Sequence, residues 1–62
     1  MKFSDKLTKI DECVRIYKYD NGYMVEASGR DTYDDWSTVK LLANSLDEAN
    51  SLVADAFNLP QA

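Results

Sequence analysis

Histidine does not occur in the 62 residues of this chain, so no imidazole is available as a general acid or base or as a metal ligand. A single cysteine excludes an internal disulfide and agrees with a reducing compartment. One proline and two glycines interrupt a chain that is 45% hydrophobic, a composition that favours a folded domain over disorder. Positive charge is scarce: seven Lys and Arg stand against eleven Asp and Glu, for a net charge of −4. That balance disfavours nucleic acid, whose phosphates are held largely by Lys and Arg. No apolar run follows the opening Met-Lys-Phe-Ser-Asp-Lys. The start therefore reads as neither signal peptide nor membrane span, and the expected location is the cytoplasm. The length suits one domain, 1–62, with room for a core of about ten side chains and none for an enclosed substrate cavity. An enzyme is not expected, and no catalytic residue, metal or cofactor is assigned.

What is present begins with a hairpin over 12–30. Two β-prone runs are joined by Asn21-Gly22, a pair suited to a two-residue type I′ turn. That turn would set Asp20 opposite Tyr23, Tyr19 opposite Met24 and Ile16 opposite Ala27. Val14, Ile16, Tyr23, Val25 and Ala27 then share the core face. Cys13, Arg15, Tyr17, Tyr19, Met24, Glu26, Ser28 and Arg30 share the other. An acidic loop with Asp31, Asp34 and Asp35 leads to a third strand, 36–43. Its Val39, Leu41 and Ala43 are taken as core, which turns Trp36, Thr38, Lys40 and Leu42 outward.

Ser45-Leu46-Asp47-Glu48 has the form of a capping box and opens a helix over 46–58, ended by Leu59-Pro60. Leu46, Ala49, Leu52, Val53, Ala56 and Phe57 form its apolar side. At the other end, Phe3, Leu7 and Ile10 recur with helical spacing, and Ser4 is placed to cap a short helix. An extended segment through Leu7–Ile10 is the competing reading. The expected class is α+β: a three-stranded antiparallel meander packed on the C-terminal helix, with a short N-terminal helix or extended segment beside it.

One helix covers one face of such a sheet. The outer face, with Tyr17, Tyr19, Met24, Trp36 and Leu42 fringed by Arg15 and Arg30, then reads as a partner-binding surface, rich in the residues interface centres favour. Burial of this face under Phe3, Leu7 and Ile10 is the plainer alternative. Asp31, Asp34 and Asp35 read as a solvated turn, since their spacing is not that of a calcium loop. Ser28 has no base to activate it, and Gly29 marks a bulge or a close backbone approach. Cys13 is an ordinary thiol.

The run Asn21-Gly22-Tyr23-Met24-Val25-Glu26-Ala27-Ser28-Gly29-Arg30, with the acidic loop, Asp35-Trp36 and the Thr38-x-Lys40 strand, resembles small uncharacterised proteins of podovirus-type tailed bacteriophages. The resemblance covers about residues 4–58 and implies a cytoplasmic protein made in an infected bacterium, with no agreed activity; small acidic phage domains often bind and modify a host enzyme or defence complex, which supports a binding role. The expected function is thus a small acidic, non-enzymatic protein-binding module, its partner another protein or a second copy in a homodimer. The alternative is a nucleic-acid-linked role, through DNA mimicry by the acidic loop or single-strand binding on the aromatic sheet face.

Overall fold

Gly29 sits where two strands must come closer than any side chain allows. A Cβ at this position would overlap the backbone carbonyl oxygen of Lys9 on the neighbouring strand. The computed structural model describes residues 2–62, and among these residues the chain forms an α+β fold. A 3₁₀ turn at Phe3–Asp5 precedes three strands, β1 (Leu7–Tyr19), β2 (Gly22–Asp31) and β3 (Trp36–Ala43), and one helix, α1 (Leu46–Phe57). The strands pair antiparallel in the order β1-β2-β3, and α1 lies across one face.

β1 begins much earlier than the hairpin expected over 12–30: of the two N-terminal readings the extended one holds from Leu7 onward, and helical geometry is confined to the 3₁₀ turn at Phe3–Asp5. The N-terminal apolar residues keep helical spacing for a different reason. Leu7 pairs with Asp31, Lys9 with Arg30, Ile10 with Gly29 and Val14 with Ala27, so β1 carries an extra residue near Thr8 and two more between Ile10 and Val14. The one-residue bulge near Thr8 switches the inward face from odd to even positions, and the two-residue insertion keeps that phase, so Leu7, Ile10 and Val14 all reach the core face. Ser4, expected as a helix cap, instead clamps the 3₁₀ turn to α1. Its backbone N–H and hydroxyl both donate to the Asp55 carboxylate, at 3.1 and 3.0 Å.

The hairpin register also differs. Tyr19 pairs with Gly22 and Ile16 with Val25, two residues away from the type I′ alignment. The loop is therefore Asp20-Asn21, and neither takes a positive φ. Gly22 does, at +151°, with Ala43 O only 2.7 Å from where a Cβ would lie. A slip of two leaves every side chain on its original face, so the division into core and outer residues survives the error.

The core consists of Phe3, Leu7, Ile10, Val25, Ala27, Leu41, Ala43, Ala49, Leu52 and Ala56. Burial runs diagonally across the inner face. It takes β3 and β2 near the hairpin end, and β1 at the opposite end beside Phe3. Ile16, expected in the core, lies on the uncovered corner of edge strand β1 and is 42% exposed. Leu46 and Phe57, expected on the buried side of the helix, are half exposed, because Ala49 and Ala56 bring the helix axis close to the sheet and leave its shoulders outside.

Ser45 caps α1, accepting from Glu48 N–H at 3.2 Å, while the Glu48 carboxylate accepts from Asn44 N–H at 3.3 Å. The helix ends at Phe57 with Asn58 as its cap, one residue short of expectation. The chain then turns back along β1. Ile10 N–H donates to Pro60 O at 2.9 Å and Ala62 N–H to Ile10 O at 2.7 Å, occupying the sheet edge beside the larger bulge. No helix among the described residues is long and apolar enough to cross a membrane.

Candidate functional site

The outer face of the sheet is not covered by the N-terminal segment, because Phe3, Leu7 and Ile10 are spent on the core side. Cross-strand pairing orders the face into rows. Tyr17, Met24 and Leu42 form one row, and Arg15, Glu26 and Lys40 form the next. Ser28 and Thr38 follow, their hydroxyls 2.9 Å apart. Arg30 stands between Lys9 and Trp36 at the far end.

Five expected patch residues therefore share a face without sharing a patch. Tyr17, Met24 and Leu42 are neighbours, with Tyr19 beyond them towards the turn. Trp36 lies six residues further along β2, about 20 Å away at roughly 3.3 Å per residue. Its ring is taken by Arg30, whose guanidinium carbon lies 5.4 Å from the ring centroid. Leu42 is 78% exposed, although it sits within a strand with a methionine beside it. Trp36 and Tyr19 are about half exposed, and Tyr17 and Met24 are less so.

Charge is arranged unevenly. Lys9, Arg15, Arg30 and Lys40 stand on the outer face. Against them are Glu26 and Asp11, the latter lining a depression of about 200 Å³ with Cys13, Arg15, Glu26 and Ser28. Four cations against two carboxylates give this face +2, which leaves −6 for the rest of a chain of net charge −4. α1 contributes Asp47, Glu48 and Asp55 and no cation. The pKa of Arg15 is pushed up, chiefly by Tyr17 beside it and then by Glu26. Lys9 and Asp11 were not recognisable as members of this face while Phe3–Ile10 read as a helix. Their signal was the alternation itself: Lys9 and Asp11 are in phase with Cys13, Arg15 and Tyr17, and the two-residue insertion between Ile10 and Val14 keeps that phase.

The acidic loop is a tight turn held by one of its own carboxylates. Asp31 Oδ1 accepts from Tyr33 N–H at 2.9 Å and Asp35 N–H at 3.1 Å, and Asp34 N–H donates to Asp31 O at 3.0 Å. Asp34 adopts φ +63°, a conformation Asp tolerates better than most residues. Arg30 adds a bond from Nη1 to Asp34 O at 3.4 Å, so the loop, Arg30 and Trp36 form one braced unit. Asp31, Asp34 and Asp35 do not converge on a point. No group of three or more Cys, Asp or Glu among the described residues is placed to hold a metal ion. Tyr33, 84% exposed at the tip of this loop, was not among the expected contact residues.

No protein-family model, curated protein or solved structure matches this chain.

Proposed function

We propose that this chain is a non-enzymatic protein-binding module that docks its partner on the outer face of the sheet. The observation that carries the reading is Leu42, exposed at the penultimate position of β3 and continuous with Met24 and Tyr17 in a row that no part of the described chain covers. Solvated sheet faces are ordinarily polar, and a row of Tyr, Met and Leu beside Arg is the composition of interface centres. The resemblance to small podovirus-type phage proteins supports a host protein as the target and the host cytoplasm as the place of action.

A foreign partner is favoured over a second copy. Stacking two such faces would set a net positive surface against its like. A monomer near 7.0 kDa by light scattering is therefore expected. Single-strand binding on the aromatic face is the less favoured alternative, because Tyr17 and Trp36 are far apart and Arg30 already occupies the Trp36 ring.

The test is a photo-crosslinking residue introduced at position 42, with position 50 on the exposed side of α1 as control, in bacterial lysate. A discrete protein adduct from position 42 and not from position 50 is expected. Equal labelling from both positions, or a self-crosslinked dimer, would refute the reading.

A further inference from the structure

We infer that the outer sheet face recognises an acidic stretch of its partner, in which an apolar side chain is followed by carboxylates. The inference rests on that face being the docking surface and adds what the docked segment must look like. Lys40 and Arg15 flank Glu26 from the two edge strands, about 10 Å apart at two strand spacings. Lys9 and Arg30 lie four residues further along β2, roughly 13 Å away. The row of Tyr17, Met24 and Leu42 lies about 7 Å to the other side of Glu26. An extended segment running along β2 would thus set an apolar side chain on the row at Leu42. Carboxylates about two and six residues further along would meet the two cationic positions.

The distribution of charge also decides between an acidic protein segment and a nucleic acid. Both ends of the face run into carboxylates, Asp34 and Asp35 beside Trp36, and Asp20 beyond Tyr19. A continuous polyanion longer than the face would carry its phosphates across these ends onto a remainder that bears −6. A segment with two or three carboxylates places its charge only where the cations are. The complementarity is therefore local, as protein interfaces use it to set register and exclude wrong partners.

The experiment selects displayed random peptides of roughly 12 residues, long enough to span the face when extended, on the immobilised full chain. Winners are then measured against Lys40→Glu, Arg15→Glu and Leu42→Asp variants whose circular dichroism matches the parent. The expected result is enrichment of Asp or Glu on one side of an apolar residue. Affinity should fall roughly tenfold with either charge reversal, and again in about 0.5 M NaCl. Neutral or basic winners that still depend on Leu42 would overturn the acidic inference and leave the docking face standing. Winners indifferent to Leu42→Asp, or no enrichment at all, would overturn both. Displacement of the peptides by an oligo-dT single strand at lower concentration would overturn the choice of protein over nucleic acid.

Discussion

Phe3, in the 3₁₀ turn ahead of β1, is fully buried, while Leu42, within β3, is exposed. Truncating each to Ala should reverse the order their positions suggest. A 62-residue domain has a stability of about 3–9 kcal/mol on the usual per-residue scale. Phe→Ala in a core costs about 3–5 kcal/mol, and a three-residue 3₁₀ turn able to settle into the gap places this site near 3. With a urea slope of about 1 kcal/mol per molar, the midpoint for Phe3→Ala should fall by about 3 M. Leu42→Ala removes little buried area and alters β propensity by less than about 1 kcal/mol, so its midpoint should move by under about 1 M. Phe3→Leu, costing about 1 kcal/mol, gives a graded point should Phe3→Ala unfold outright. A midpoint shift below about 1 M for Phe3→Ala would refute the placement of the N-terminal turn in the main core. A shift for Leu42→Ala as large as that for Phe3→Ala would show that the outer face is covered.

Gly29→Ala forces a Cβ into the Lys9 carbonyl and should cost at least about 2 kcal/mol, lowering the thermal midpoint by roughly 10 °C; a melt within a few degrees of the parent would contradict the close approach at the bulge. Asp31→Ala, which deletes the acceptor for Tyr33 and Asp35 N–H, should speed hydrogen exchange at those two amides, whereas Asp31→Asn should largely preserve their protection. Arg30→Met should change the Trp36 emission while costing no more than about 1 kcal/mol, as befits an exposed cation–π contact. Ser45→Ala should cost about 1 kcal/mol, read from the melting curve, through loss of the bond from Glu48 N–H.

Strand alternation and the capping pattern at Ser45 were enough to place β2, β3 and α1 nearly to the residue. These are local signals: β2 and β3 alternate without interruption, and the capping serine makes its bond within four residues. The turn was misread because Asn21-Gly22 serves two geometries. With a positive φ at Gly22 alone, the loop shifts to Asp20-Asn21. The faces remained legible only because the shift is even. Which part of the inner face α1 covers was not legible. Coverage depends on how the helix lies across the sheet, and so Ile16, Leu46 and Phe57 were assigned burial they lack.

The N-terminal third shows why a period is weaker than a pairing. Leu7, Ile10 and Val14 repeat at three and four residues, as on a helix, yet lie in a strand whose bulges insert the extra residues. Gly29 makes that strand possible by letting the Lys9 backbone approach, and the tail at Pro60–Ala62 bonds the edge left open at Ile10. None of these partners is near β1 in sequence. The larger bulge decides where the charge of the candidate site falls, because it brings Lys9 beside Arg30 and Asp11 into one depression with Arg15. Averaged over the chain, the net charge of −4 argued against nucleic acid. Sorted by face, it forms a small positive plate framed by carboxylates, and this arrangement is the ground on which short acidic segments are proposed over long polyanions as the complementary class.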